Sequence, residues 1–408
     1  MVKKVSFDEL RRMMVEVLQS IGMEEKNIDI VVDIFAEKTK RGVGHHDIND
    51  FISHVERARA GVSNANPKYT KIAQFECMES WDGDGGMGEL TATFAMDRAI
   101  EKAQKHGMGL CTIRNSNHYL ASSPYTSQAA KAGCIGMIIA KDMPSMGVPG
   151  YTGMVIGQSP NGFAFSTNED WPVMYDGCFA YVSGHGKLHQ YAEAGKPIPE
   201  WWGVNKAGRP TTDPTELLMG GTRYPIGEHK GFSHSLLCEV LTGVLSDGPV
   251  LDQMDADGMK TTTVHTAIAI KSDGLMSMDR FNDRSSDLIR RLDARAPGIP
   301  IPGKRSHEAK LEYEKTNEIE ISDELVEYYN IRTGKTKPES LFNEDTLIAF
   351  LIRNKSAKAI IEKNFPGFLG SDRATLIQGF PIKMMAAMSQ MKDEDKAAFY
   401  KEIRMIKE

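Results

Sequence analysis

The sequence predicts an α/β fold that begins and ends with helices. Three observations indicate this: helical and strand-like segments alternate from about residue 90, amphipathic helical patterns occupy both ends, and 41% of the 408 residues are apolar. The length exceeds that of most single domains, so we expect two domains or one elaborated domain. Charged residues make up 25%, an ordinary globular share that argues against disorder, collagen and coiled coil.

Capping and periodicity predict the N-terminal elements. Ser6 followed by Glu9 forms a capping box, and apolar residues then recur at helical spacing. Further elements are predicted as helices at 24–40 and 51–60 and a strand at 69–75. A polar, histidine-rich loop separates those two helices.

The middle of the chain predicts the sheet, and the end predicts an appendage. Helices are expected at 93–105, 121–132, 231–245 and 278–295, and strands at 109–113, 135–140, 162–165 and 262–270. A Gly- and Pro-rich stretch covers residues 143–228. Residues 331–408 are helix-prone and net positive, whereas the rest of the chain is net negative, so we expect a solvated helical tail without chemistry.

Composition and cysteine spacing narrow the classes of function. The net charge of −6 gives no basis for gripping a polyanion, so no nucleic-acid partner is expected. The five cysteines are scattered singly, which predicts free thiols in a reducing compartment rather than disulfides or a zinc ribbon. The N-terminus turns acidic before any apolar run, and no stretch approaches the ~20 apolar residues of a membrane helix. We therefore expect a cytoplasmic protein without a membrane partner.

Two phosphate-binding patterns are present but unconvincing. Residues 83–88 read GxGxxG before a helix, yet Glu79, Asp82 and Asp84 surround the glycines and would repel a pyrophosphate. We expect a turn that feeds the helix. Residues 184–187 are too short for a Walker A loop, so ATP chemistry has no support.

A histidine cluster, His45-His46-Asp47, offers a metal site or a proton-handling imidazole. Adjacent side chains point apart and seldom bind one metal from a regular element, so no metal is expected. A metal-dependent lyase or hydrolase built on these three residues is kept as the alternative. An imidazole that handles a proton, or a plain polar loop, are the other interpretations.

Polar residues at predicted element ends supply further candidates. Arg114-Asn115-Ser116-Asn117-His118 follows a predicted strand at the edge where open α/β sheets bind ligands. If the strand that precedes Asp142 is its neighbour, Asp142 could orient His118 as an acid/base. His229 and Lys230 open a long helix, where exposed amides suit an anionic ligand.

Taken in order across residues 1–330, these segments resemble the type-2 malate/L-lactate dehydrogenase family, with its sulfolactate, ureidoglycolate and diketogulonate oxidoreductases. Gly208-Arg209-Pro210-Thr211-Thr212-Asp213-Pro214 follows the family's G-x-P-T-T-D-P. The other matching segments are residues 41–46, 115–118, 157–160, 176, 186–188, 198–204, 230–231 and 302–304.

The resemblance implies a homodimeric oxidoreductase that binds NAD or NADP on a non-Rossmann fold and acts on a small molecule. It implies one discontinuous helical domain from residues 1–75 and 281–330, around an α/β cofactor- and substrate-binding region at 76–280. Residues 331–408 are then an added helical tail. The cofactor contacts implied are Asp176, Cys178, Ala180, Lys187, His229, Lys230, Gly303, Lys304 and Arg305.

The resemblance also implies roles at the reacting atoms, with one departure. His46 and His118 lie in the active site, where we expect His118 to be the acid/base and His46 to hydrogen-bond the reacting oxygen of a small hydroxy or oxo metabolite. The family's substrate-facing Arg falls on Asp50, which would repel a carboxylate. Asp50, Asn117 and Arg114 are therefore the candidate substrate contacts. A non-catalytic nucleotide-binding relative is a third possibility.

Overall fold

A computed structural model describes residues 2–42, 44, 46–151, 153–184, 186–251, 253, 263–370, 380–389 and 391–407. The strands are β1 (Val2–Ser6), β2 (Thr70–Phe75), β3 (Met78–Gly86), β4 (Met108–Ser116), β5 (Cys134–Ala140), β6 (Asn161–Phe165), β7 (Val173–Gly177), β8 (Gly203–Val204), β9 (Thr222–Arg223), β10 (Thr263–Lys271) and β11 (Glu318–Ser322).

The helices cover both faces of the sheet and both ends of the chain. They are α1 (Phe7–Ser20), α2 (Glu25–Lys40), α3 (Phe51–Arg59), α4 (Gly88–His106), α5 (Ser123–Lys131), α6 (Lys187–Glu193), α7 (Pro214–Leu218), α8 (His229–Glu239), α9 (Met278–Arg295), α10 (Lys304–Thr316), α11 (Asp323–Arg332), α12 (Ile348–Leu351), α13 (Lys355–Asn364), α14 (Ile382–Met388) and α15 (Asp393–Arg404). A π-helical segment, Val240–Val244, continues α8. The helices predicted from capping and periodicity are thus present, and Ser6 caps α1 by accepting the N–H of Glu9 at 3.1 Å.

The central sheet has seven strands in the order β2-β3-β4-β10-β5-β6-β7. Only the pairing of β3 with β4 is parallel; the other five are antiparallel. β10 lies between β4 and β5 although it follows them by more than a hundred residues. The 109–113 and 135–140 strands are therefore not neighbours, so the condition on which the pairing of Asp142 with His118 depended is not met.

The start of the chain meets the segment before residue 330. β1 pairs antiparallel with β11, with Val5 opposite Ile319. α2 packs against α10, where Lys310 lies 3.1 Å from Glu37. Apolar residues of α1, α2 and α4 join β4, β5 and β11 in one continuous core. The boundaries 75, 280 and 330 themselves stay a prediction.

The tail is more than a solvated appendage. Its helices enclose an apolar core of their own, made of Ile348, Leu351, Ala357, Ile361, Ile382, Met385, Ala386, Phe399, Ile403 and Ile406. A second cluster joins Leu347 and Ala349 to Ala60 and Val62, just beyond α3. The apolar spacing inside this charged segment therefore serves packing, and the tail docks at the end of α3.

In the part of the chain that the structure describes, no helix combines the length and apolar character needed to cross a membrane. All five cysteines are free, as their spacing predicted.

Candidate active site

The loop after β4 carries His118, and close backbone packing fixes its position. Asn115 has a φ of 52°, a left-handed conformation that turns the chain out of the strand. The side-chain amide of Asn117 donates to the carbonyls of Gly85 and Gly86 at 2.8 and 3.0 Å and accepts from Arg57 at 3.2 Å. Asn117 is thus occupied by protein partners, and its predicted substrate contact has no support in this geometry.

The glycine-rich residues 83–88 serve close packing rather than forming only a turn or a phosphate-binding loop. β3 extends through Gly86, and α4 begins at Gly88. A Cβ on Gly88 would lie 2.1 Å from the carbonyl oxygen of His118, and one on Gly83 would lie 2.9 Å from that of Asn115. These glycines let the start of α4 approach the loop of His118, so the expected turn is partly strand.

Three imidazoles converge at this point. The rings of His46 and His118 have centroids 5.1 Å apart, and those of His54 and His118 lie 5.4 Å apart. Protein surrounds the ring of His118, yet the residue keeps a solvent-exposed surface. The protein packed around the ring reduces hydration of its charged form, and the neighbouring imidazoles His46 and His54 repel that charge. Both effects hold the pKa of His118 well below its ordinary value.

His46 pairs with Asp50, the residue that stands where the family has an Arg. Nδ1 of His46 lies 2.8 Å from a carboxylate oxygen of Asp50, which also accepts the backbone N–H of His46. Burial alone would raise the pKa of Asp50, but this hydrogen bond and the nearby imidazoles lower it to about 2. The segment is not helical at His46, whose φ is 56°, so a turn rather than a shared helix face brings the two side chains together.

His54 pairs with Glu89, and neither was singled out from the sequence. Nδ1 of His54 lies 2.5 Å from Oε1 of Glu89, whose side chain is fully buried at the start of α4. Burial alone would lower the pKa of His54, but the negative charge of the adjacent Glu89 carboxylate raises it. Asp50, His54 and Arg57 recur at helical spacing, which could have indicated His54; Glu89 gave no local signal.

Asp142 does not orient His118. β10 separates the two strands that precede these residues, and the carboxylate of Asp142 instead accepts the backbone N–H of Ser159 at 3.1 Å. Burial raises the pKa of Asp142 to about 6, although hydrogen bonds from the backbone of Gln158 and Ser159 act to lower it. The Asp–His pair expected from strand adjacency is therefore wrong.

Arg114 points away from the histidines. Its guanidinium donates to the carbonyl oxygens of Ser246 and Asp247 and pairs with the carboxylate of Asp247 at 3.2 Å. The substitute cation expected for a substrate carboxylate is therefore not supplied by Arg114, because a side chain on β4 next to the 246–247 turn cannot also face the cleft.

Asp176 joins three elements. Its carboxylate accepts the N–H groups of Ser122 and Ser123 at the start of α5, both at 3.1 Å, and pairs with Lys38 of α2 at 3.2 Å. Burial would raise its pKa, but Lys38 and these hydrogen bonds lower it. Asp176 therefore connects β7 to α2 and α5, a structural role that the sequence did not indicate.

The other predicted cofactor segments are linked by contacts around β7, and we call residues 176–182, 229–230 and 303–305 the cofactor strip. Ala180 bridges to Pro225, just before His229 and Lys230 open α8. Gly303 lies against β7 with a φ of 96°, where a Cβ would meet the carbonyl oxygen of Pro172 at 2.9 Å. The sulfur of Cys178 contacts Gln158 at 3.7 Å on the same strip.

The cations of this strip suit a nucleotide. Lys230, Lys304 and Arg305 are exposed at the starts of α8 and α10 and have no ion-pair partner among the described residues. Lys187 differs, because its ammonium lies over the rings of Tyr191 and Trp202, 6.0 and 5.6 Å from their centroids. Helix N-termini with adjacent cations and glycine-lined backbone fit a pyrophosphate, whereas Lys187 contacts aromatic rings instead.

The comparisons with known proteins decide the family. The malate/L-lactate dehydrogenase family matches residues 5–330. The chain belongs to this family. It is 31% identical over 297 residues to a malate dehydrogenase of Pyrococcus abyssi, which covers 71% of this chain and 82% of that protein. It is 28% identical over 331 residues to a malate/(S)-sulfolactate dehydrogenase of Methanothermus fervidus, covering 79% and 95%.

A solved structure gives the same answer. The malate dehydrogenase of Entamoeba histolytica superposes with a TM-score of 0.76 at 25% identity, over 84% of this chain and all of that one. The protein is therefore an NAD(P)-dependent oxidoreductase that acts on small hydroxy or oxo metabolites, with the α/β non-Rossmann fold expected from the resemblance. The family match ends at residue 330, where the tail begins.

The metal alternative finds no support in the described residues. His45 lies outside them, and no group of three or more His, Cys, Asp or Glu side chains elsewhere in the described ranges could hold a metal ion. His46 and Asp47 also have other partners: Asp50 for the imidazole, and the N–H groups of Gly44 and Asn49 for the carboxylate.

Proposed function

We propose that His118 exchanges the proton at the oxygen of the substrate, with His46 hydrogen-bonded to the same oxygen. The observation that carries this is the convergence of the two rings, with centroids 5.1 Å apart, at a position where His118 is exposed to solvent. An imidazole placed at a reacting oxygen is the usual acid/base of such chemistry. The nicotinamide, when bound, supplies or accepts the hydride at the adjoining carbon.

We propose that the substrate presents a neutral or cationic group to Asp50. The ionised carboxylate stands where a bidentate Arg would hold a substrate carboxylate, and it is already paired with His46. The relatives are named for malate and sulfolactate, both carboxylates. A hydroxyl-rich sugar acid, or a hydroxy or oxo compound with an amine near the reacting carbon, fits this chain better.

We propose that the strip of residues 176–182, 229–230 and 303–305 holds NAD or NADP. Lys230, Lys304 and Arg305 then face the phosphates, and Gly303 lets the start of α10 pack closely against β7. Cys178 and Ala180 lie just after β7 and would contact the cofactor. Asp176 of β7 holds this segment to the start of α5, and His229 is the first residue of α8.

The experiment is a binding and turnover screen. Thermal shifts with NADH and NADPH report cofactor binding, and absorbance of the reduced nicotinamide then follows oxaloacetate, sulfopyruvate and a panel of keto sugar acids and amino-substituted 2-oxo compounds. Turnover of an amine- or hydroxyl-rich member above oxaloacetate supports the proposal. Binding without any turnover supports a non-catalytic relative, and activity abolished by a chelator supports the metal-dependent alternative.

We propose further that the protein is a cytoplasmic homodimer. α8 and the π segment expose the apolar side chains of Leu236, Leu237, Val240, Val244 and Leu245, of which Val244 is 59% exposed. A second copy would cover them, and light scattering after size exclusion measures the mass. Leu237→Glu should shift a dimer toward monomer; a wild-type monomer contradicts the proposal.

The free cysteines agree with a reducing compartment, which cell fractionation tests.

A further inference from the structure

The backbone fixes which nitrogen of His118 carries the proton. Its Nδ1 accepts the N–H of Leu120 at 3.3 Å, and a backbone amide can only donate. Nδ1 therefore holds a lone pair, and a neutral His118 carries its hydrogen on Nε2. The ring is thereby a proton donor toward the cleft.

The protonation of His54 follows from its two neighbours, His118 and Glu89. Its Nε2 lies 3.3 Å from Nδ1 of His118, an acceptor, so Nε2 of His54 must donate. Its Nδ1 lies 2.5 Å from the buried carboxylate of Glu89. An imidazole is the stronger base of that pair, so the proton between them belongs to His54. Both ring nitrogens of His54 then carry hydrogen.

We propose that Glu89 holds His54 as an imidazolium, and that His54 restores the proton that His118 delivers to the substrate. This rests on the proposed role of His118. His54 is a positioning and relay residue, since it reaches the reaction only through His118. The sequence suggested that Asp142 orients His118; in the structure the residues next to His118 are instead His54 of α3 and, behind it, Glu89 of α4.

The proton transfer balances for the reduction. The carbonyl carbon gains the hydride, and its oxygen forms an O–H bond as the Nε2–H bond of His118 breaks. In the same step the Nε2–H bond of His54 breaks and a new Nδ1–H bond forms on His118, so that His118 stays neutral throughout. His54 ends neutral, with its remaining hydrogen on Nδ1, facing the Glu89 carboxylate. After product release, solvent protonates the exposed His118 and the same path runs backward to recharge buried His54.

The charged neighbours favour this distribution. Glu89 from α4 and Asp50 from the turn before α3 stabilise the cation on His54, and Arg57 from α3 opposes it; His118 is the titratable group facing it from the β4 loop. Phe35 of α2 closes the remaining side with its ring centroid 5.5 Å away. Two carboxylates against one guanidinium leave His54 the favoured site for a positive charge.

Nitrogen-15 NMR of the histidine-labelled full chain tests the proposal without any substrate. Wild type should show His54 with two protonated nitrogens at and above neutral pH and His118 protonated only on Nε2, the signals being assigned by His54→Gln and His118→Asn. Glu89→Gln should make His54 neutral at pH 7. Glu101→Gln, on the same helix but exposed, is the matched control and should change neither. A neutral His54 in wild type overturns the proposal.

Turnover separates this inference from the proposed function. Using the most active compound of the panel, His54→Gln should keep KM within about twofold and lower kcat roughly 10- to 100-fold, less than the 10²–10⁴ expected for a direct acid/base. Gln preserves a donor to Nδ1 of His118 but relays no proton, so wild-type kcat in this variant contradicts the relay. Absence of turnover in wild type would instead count against the proposed function and leave the NMR result standing.

Discussion

Two histidine–carboxylate pairs flank His118, and they differ chiefly in exposure. In the pair His46–Asp50 the side chains are 29% and 36% exposed, whereas in His54–Glu89 they are 8% and 0% exposed. Water screens the first pair, so it can rearrange around a substrate at low cost. The second pair lies where the dielectric is low, so it holds a charge in place. Similar chemistry therefore serves substrate contact on one side and proton supply on the other.

The pairs also differ in how the chain builds them. His46 and Asp50 are four residues apart within one turn, so their pairing is local. His54 and Glu89 come from α3 and α4, so their contact ties two helices together. Each prediction below acts on one pair and leaves the other as its reference.

Removing the group between the pairs should have the largest effect. His118→Asn should lower kcat by roughly 10²–10⁴, because it deletes the direct proton donor. The rate is measured by nicotinamide absorbance at saturating substrate, with the exposed His106→Asn as control. Near-normal turnover of His118→Asn would sink the assignment.

The two carboxylates should stabilise the fold in opposite pH ranges. The raised pKa of His54 means that its pairing with Glu89 contributes fully below about pH 6.5 and is lost as pH rises through that raised pKa. Glu89→Gln should therefore cost about 3–5 kcal/mol near pH 6 and less in alkali, since removing one partner of a buried pair leaves the other uncompensated. Urea unfolding across pH measures both stabilities.

Asp50→Asn is the matched comparison. Because the pKa of Asp50 is lowered to about 2, its contribution is present above about pH 4 and disappears as pH falls toward about 2. A constant difference from wild type across that range, or an alkaline loss with Asp50→Asn, would contradict the division of roles.

Asp50→Arg should convert the exposed pair toward the family's pattern. We expect about tenfold weaker kcat/KM for the preferred substrate and better use of 2-oxo acids such as oxaloacetate, because an Arg can clamp their carboxylate. Competing both substrates against each other measures the switch. Unchanged activity on both would place Asp50 outside the pocket.

The tail should matter slightly, and only to the buried pair. Arg353 donates to the carbonyl of Ala60 at 2.7 Å, just past α3, which carries His54. Arg353→Ala should lower stability by about 1 kcal/mol and speed hydrogen exchange in α3, while exposed Lys355→Ala does neither. Equal exchange in both variants would separate the tail from the site.

Features that depend on residues close together in the chain could be predicted from the sequence, and features that depend on distant residues could not. The Ser6 cap and the helix Met278–Arg295 depend on neighbours within four residues or on one period, so they were predictable. The insertion of β10 between β4 and β5 depends on the whole sheet, so the Asp142–His118 pairing inferred without it was wrong. The Glu89–His54 contact joins two helices and could be seen only after folding.

The pH dependence of kcat and KM in His54→Gln and Asp50→Asn, measured side by side, tests the central claim most directly. The account predicts that His54→Gln removes the fall of kcat in alkali, where wild-type His54 loses its proton, and leaves KM nearly unchanged. It predicts that Asp50→Asn changes KM and keeps that fall. If Asp50→Asn abolishes the fall and His54→Gln alters only KM, the proton travels on the exposed side and the account is wrong.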